Sequence, residues 1–159
     1  MTIVEQDDKE FREVIARFQE TAGDKLYFQK LLNPQFQSPA WDHSRIVLEM
    51  KEEFVGNLLY RTLHGGIITS MLDTAGGHVV VLSLFEKSKG QPLEKRFQKV
   101  IRVGSIDFRI DFLRPGKGTT FTAEAWILRM GNKVAVTRME LRNEEGLLIA
   151  VGTGTYTTG

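Results

Sequence analysis

Cysteine is absent from this chain, so it has neither a disulfide framework nor a thiolate metal site, and the absence agrees with a reducing compartment. An excess of one charge is absent too. The 21 Lys and Arg are offset by 20 Asp and Glu, a formal charge of +1, so no global field draws nucleic acid and any anion site must be local. The longest strongly apolar runs, such as VVVLSLF, fall well short of the roughly 20 residues that cross a bilayer, and no membrane span is expected. The start, MTIVEQDDKEF, is acidic where a signal peptide is basic and then apolar, so a cytoplasmic protein is expected. No internal repeat, low-complexity tract or Gly/Ser linker divides the chain. The expectation is one domain over residues 1–159, with residues 1–40 as an N-terminal helical extension.

Several chemical motifs are missing as well. His43, His64 and His78 show no metal-ligand spacing, and no G-x-S-x-G elbow occurs. GTGTY near the C-terminus follows a strand pattern without opening a helix, which disqualifies it as a nucleotide loop. Neither metal nor cofactor is expected.

What the chain does contain is a change of hydrophobic period. Phe11, Val14, Ile15 and Phe18 recur at helical spacing from a start near Asp7 or Asp8, and a shorter apolar cluster runs from Leu26 to Leu32. The stretch up to Ser44, punctuated by Pro34 and Pro39, reads as loop, and Arg45 to Lys51 as a first strand. From Gly65, Ile67, Met71, Ala75, Val79 and Leu82 keep a helical spacing for about five turns, and a helix so apolar should be buried nearly all round. Glu86 to Arg102 is highly charged and holds Gly90 and Pro92, a long connection with room for a short helix. The period then becomes two: Ile106, Phe108, Ile110 and Phe112 alternate with Ser105, Asp107, Arg109 and Asp111, a half-buried strand ended by RPGKG. Phe121 to Leu128, Lys133 to Leu141 and Leu147 to Tyr156 supply three more strands, joined by hairpin-type turns. The long helix is the element available to cover an antiparallel sheet, which predicts an α+β fold with the sheet wrapped around it.

Within that helix stands Asp73, about two turns from the start and too deep for capping. Gly66, Thr69, Ser70, Gly76 and Gly77 share its face, all small, with Thr69 and Ser70 as candidate substrate contacts. Asp73 is either the solvated edge of an amphipathic helix, the commoner case for a lone mid-helix Asp, or a functional carboxylate with space cleared beside it; the lack of Lys, Glu or Arg within a turn weakens the first. His64-Gly65-Gly66 opens the helix, where unpaired first-turn N–H groups suit an oxyanion, although a tight turn alone would also call for Gly-Gly. Seven residues separate Gly66 from Asp73, on the order of 10 Å at ~1.5 Å per residue, too far for both to meet one carbonyl. If they act together, a second copy must supply one of them, which predicts a symmetric dimer with two equivalent sites.

LHGG with Asp nine residues after the His, followed by SIDFRIDFLRPG, GNKVAVTRMEL and LLIAVGTGTY, resembles the hotdog-fold acyl-CoA thioesterases of the PaaI-like group, from about Val55 to Gly159, with the medium/long-chain type nearest. The resemblance implies a hotdog fold and an acyl-CoA substrate bound at a dimer interface, with assembly of two such dimers into a tetramer left open. It places Asp73 as the catalytic carboxylate, nucleophile or general base, and the Gly65 N–H after His64 as the group that polarises the thioester carbonyl. Gly66 completes that helix start, Ser105 helps to hold the attacking water, and Asn57 lies roughly where relatives keep an active-site Asn. Arg114 and Lys117, or the basic residues Lys87, Lys89, Lys95, Arg96, Lys99 and Arg102, are candidates to meet coenzyme A phosphates, with ordinary solvated charge as the alternative. Ile67, Met71, Phe108 and Phe112 are either acyl-tunnel or core. A non-catalytic acyl-CoA sensor, a phenylacetyl-type aryl-CoA thioesterase and a hydratase on the same fold are the rival functions.

Overall fold

The computed structural model describes residues 11–14, 16, 17, 20, 27–37 and 40–158. Residues 11–14 are helical as expected, with Phe11 and Val14 buried; Ile15, Phe18 and the expected helix start near Asp7 or Asp8 lie outside the described residues, as do Leu26 and Pro39. A short helix α1 (Tyr27–Leu32) leads into strands β1 (Gln35–Phe36) and β2 (His43–Glu49). Two short strands, β3 (Val55–Asn57) and β4 (Thr62–Leu63), precede the long helix α2 (Gly65–Lys87). The charged connection holds a helix α3 (Leu93–Val100), and β5 (Ser105–Phe112), β6 (Thr120–Met130), β7 (Val134–Asn143) and β8 (Leu148–Thr157) follow. Against the sequence reading, β1, β3 and β4 are additional strands, and the strand expected over Arg45 to Lys51 is the second, running from His43 to Glu49.

Six strands form one antiparallel sheet in the order β1-β2-β6-β7-β8-β5, and β3 pairs with β4 beside it. The sheet packs one face on α2, as the pattern predicted. Its inner positions are Ile46 and Leu48 on β2, Phe121, Ala123 and Ala125 on β6, Met139 and Leu141 on β7, and Ala150 on β8. The small residues among these let the helix approach, so that Met71, Leu72, Ala75 and Val79 reach zero exposure. Each such large side chain contributes about 1.5–3 kcal/mol by leaving water.

Burial of α2 is uneven. Residues 78–85 are buried throughout, enclosed by Trp41, Phe11, Val14 and α3, whereas Thr69, Ser70, Asp73, Thr74 and Gly77 remain half-buried. By length and hydropathy alone this helix qualifies as a membrane span, with a mean hydropathy of 1.5 over its best window; 67% of that window is buried inside the protein, which marks it as a core helix. Arg96, read as a solvated or phosphate-binding charge, is instead buried in α3 and donates from Nη2 to the Phe85 carbonyl near the end of α2 at 2.6 Å.

Strand β5 departs most from expectation. It lies at the sheet edge beside β8, and both of its faces are open: Ile106 is 55% exposed, Phe108 37% and Phe112 55%. Its register shifts between Ser105 and Asp107, with Ser105 opposite Tyr156, Asp107 opposite Thr155 and Phe108 opposite Gly154. Because facing residues of an antiparallel pair point to the same side, this bulge moves Ser105 onto the inner face with Phe108 and away from Asp107 and Arg109. A strict two-residue alternation had put it on the other face.

Candidate active site

The start of α2 is held by two backbone hydrogen bonds and a side-chain cap. His64 N donates to the Phe54 carbonyl and Leu63 N to the Gly116 carbonyl, each at 2.8 Å, and His64 occupies the N-cap position with φ −62° and ψ 136°. Its ring folds back so that Nδ1 accepts from the Gly66 N–H at 2.9 Å, which requires the ring proton on Nε2. A Cβ at Gly66 would lie only 2.9 Å from that nitrogen, so glycine is what allows the ring to reach the backbone. The Gly66 N–H is thus occupied, which corrects its expected role as a vacant donor. The Gly65 N–H, in contrast, finds no acceptor among the described residues, as the geometry of a first helical turn predicts.

Asp73 sits two turns further along. Ser105 Oγ donates to its Oδ1 at 2.6 Å, and the Tyr156 hydroxyl lies 3.3 Å from the same oxygen and 3.2 Å from the Asp73 carbonyl. Both side-chain contacts fall on Oδ1, and Oδ2 accepts from no described residue. The carboxylate is therefore held at one oxygen and presented at the other, on a half-buried helix face lined by Ser70 and Gly77.

Tyr156 is the site residue that the sequence reading missed. It is 1% exposed and points inward from β8. Burial, and after it the Asp73 charge and hydrogen bond, push its phenol above the ordinary tyrosine range, so that it stays a protonated donor. A signal was present in the GTGTY motif: Gly154 and Gly76 both leave space that this ring fills, for a Cβ at Gly154 would lie 2.7 Å from Cε2 and one at Gly76 would run into the hydroxyl.

The other predicted residues are placed as follows. Ser70 Oγ donates back to the Gly66 carbonyl at 2.8 Å, and Thr69 is half-buried one residue before it. Asn57 Oδ1 accepts from Leu59 N and Tyr60 N at 3.0 Å each, capping an exposed apolar turn, and no hydrogen bond joins it to Asp73. The loop carrying Arg114 and Lys117 is tied to this region through Gly116. Arg114 Nη1 donates to the Leu148 carbonyl at 2.9 Å, and the Lys117 ammonium lies 5.9 Å from the Tyr60 ring centroid. Of the tunnel candidates, Met71 is core, Ile67 is half-buried, and Phe108 and Phe112 are exposed, the last with its ring next to Gly65.

The arrangement can polarise an acyl carbonyl at Gly65 and offer a carboxylate oxygen at Asp73, but not to the same carbonyl within one chain. Eight residues of helix separate them, about 12 Å of rise.

The pattern of the thioesterase superfamily matches residues 60–150. Over 132 residues the chain is 41% identical to the medium/long-chain acyl-CoA thioesterase YigI of Escherichia coli strain K12, covering 83% of this chain and 85% of that one. A Shewanella oneidensis protein related to the thioesterase superfamily has a TM-score of 0.88 at 37% identity, over 96% of this chain and 100% of that one. A Bacillus halodurans protein solved with CoA is similar in fold, with a TM-score of 0.65 at 22% identity, over 98% of this chain and 95% of that one.

Proposed function

The chain belongs to the thioesterase superfamily and is a thioester hydrolase of hotdog fold, and from that premise we propose that it hydrolyses medium- to long-chain fatty acyl-CoA to the free acid and coenzyme A, with Asp73 as the reactive carboxylate. The observation that carries this reading is the one-sided hold on Asp73, whose Oδ1 is bonded while Oδ2 has no described partner.

The working site forms between two copies. β5 is a long edge strand with apolar residues exposed on it, and such an edge is a template for pairing with another chain. Pairing β5 with its two-fold mate covers Ile106, Phe108 and Phe112 and brings Asp73 of one copy towards Gly65 of the other. The thioester oxygen then accepts from the Gly65 N–H. In one course Oδ2 attacks the carbonyl carbon, the C–S bond breaks with loss of the thiolate, and water then hydrolyses the acyl-aspartyl anhydride to the free acid. In the other, Oδ2 takes a proton from a water that attacks the carbonyl carbon directly, and the C–S bond breaks to release the acid and the thiolate. A thiolate needs no strong acid to depart, so neither metal nor cofactor is called for. General-base or nucleophilic help of this kind is worth about 10²–10⁴-fold, and an oxyanion donor about 10²–10³-fold.

Arg114 and Lys117 on the loop tied to Leu63 are suited to the phosphates of coenzyme A, and the exposed apolar turn Leu58-Leu59-Tyr60 beside them offers surface to the acyl chain. YigI, named for medium and long chains, supports the same substrate class.

Thiol release from butanoyl- through octadecanoyl-CoA and from phenylacetyl-CoA, with Asp73→Asn alongside, tests the proposal. Turnover highest on a medium or long chain and absent in the variant is expected. A preference for phenylacetyl-CoA would assign an aryl-CoA thioesterase, and binding without turnover would assign a sensor.

A further inference from the structure

Tyr156 brings a hydroxyl into a place where a phenylalanine would fill the same volume. Burying a hydroxyl is unfavourable unless it finds an acceptor, and at 1% exposure water cannot supply one. The hydroxyl lies 3.3 and 3.2 Å from Oδ1 and the carbonyl of Asp73 and 3.6 Å from the Met139 sulfur, a weak acceptor. Helix and strand both leave out side chains to seat it, at Gly76 and Gly154. A glycine inside a helix costs about 1 kcal/mol relative to alanine, so the seat is not what local propensity favours.

Ser105 alone does not immobilise the carboxylate. It is exposed on an edge strand and grips one oxygen from one direction, leaving the group free to rotate about that bond. A second donor from the buried side, with its one proton shared between Oδ1 and the Asp73 carbonyl, restricts that freedom. From this geometry we propose that Tyr156 is a positioning residue for hydrolysis: with Ser105 it clamps Oδ1 of Asp73 and so fixes Oδ2 as the oxygen that acts. The inference rests on the reading of Asp73 as the reactive carboxylate.

Tyr156→Phe, which keeps the ring and deletes the hydroxyl, tests it by steady-state kinetics on the best acyl-CoA. The expected result is a kcat lowered about tenfold with KM within twofold, because an orientation needed in the transition state is lost and substrate contacts are not. The double variant Ser105→Ala/Tyr156→Phe should lose less than the product of the single losses, since removing either donor already frees the carboxylate. Met139→Leu, which alters packing around the ring but keeps the hydroxyl, should lower the melting temperature and leave kcat unchanged. Wild-type kcat in Tyr156→Phe with only a lower melting temperature would overturn the proposal. If Tyr156→Phe does not fold, the wild-type protein labelled at tyrosine Cζ decides: of its three tyrosines, the buried one must shift its signal in Asp73→Asn, and an unmoved signal overturns the clamp. Full activity in Asp73→Asn would remove the functional reading itself, whereas an inactive Asp73→Asn beside an unimpaired Tyr156→Phe would remove only this inference.

Discussion

Ser105 Oγ donates to Asp73 Oδ1 at 2.6 Å across 32 residues of sequence. The contact exists because β5 carries a bulge: without the register shift between Ser105 and Asp107, this serine would point to the outer face with Asp107 and Arg109. One extra residue in an edge strand therefore re-aims a hydroxyl at the carboxylate of the central helix.

Ser105→Ala should cost about ten- to a hundredfold in kcat, the equivalent of a ~1.5–3 kcal/mol hydrogen bond to a charged group. Ser105 lies at the exposed start of its strand, so urea unfolding should change little. Steady-state kinetics decide the matter, and Ser105→Thr, which keeps the hydroxyl, should restore most of the rate.

Mixing two inactive variants tests the shared site. Gly65→Pro deletes the candidate oxyanion N–H at a helix position that accepts proline, and Asp73→Asn deletes the carboxylate. If each site takes Gly65 from one copy and Asp73 from the other, the mixed dimer regains one intact site and thiol release reappears on co-refolding. Activity that stays absent in the mixture, with dimers present, would place both groups in one chain.

Phe108→Asp puts a charge on the exposed edge strand. Sedimentation should show a dimer for the unaltered protein and a monomer for the variant, with hydrolysis lost in parallel. A variant that sediments as a dimer would mean that copies associate through another face.

Gly76→Ala sets two known effects against each other. Helix propensity favours alanine by about 1 kcal/mol, but its methyl would run into the Tyr156 hydroxyl and approach the Met139 sulfur at 2.7 Å, an overpacking worth about 1–3 kcal/mol. The net expectation is a loss of stability in urea titration together with a fall in kcat, since the displaced group is Tyr156.

His78 should make stability depend on pH. Burial pushes its imidazole down to about 4 from an ordinary 6.5, while Ser44 Oγ lies 2.9 Å from Nδ1. Between those values the unfolded chain binds a proton that the folded one does not, so this contribution is complete above about pH 6.5, falls as pH drops, and levels off below about pH 4. The total is on the order of 3 kcal/mol. Denaturant titrations at pH 7, 5.5 and 4 should show the slope in the unaltered protein and a flatter curve in His78→Gln; equal slopes would dissociate His78 from the effect.

Local patterns were sufficient for much of this protein. The helical spacing from Ile67 to Leu82 and the two-residue alternation after Ser105 identified the central helix and the strands that cover it, because both periods are set by backbone geometry within a few residues. The small face around Asp73 and the glycines after His64 drew attention to the candidate site, since backbone approach and cleared space leave traces in residue size. Tertiary structure alone decided the rest. That β5 lies beside β8 at the sheet edge depends on pairing between distant segments, and the bulge that turns Ser105 inward is a difference in register between two strands. The capture of the Gly66 N–H by His64 is a choice of rotamer, and the approach of Tyr156 to Asp73 spans 83 residues of sequence. Composition, periodicity and spacing act along the chain, whereas these contacts are made across it, where the packing of helix on sheet determines which groups meet.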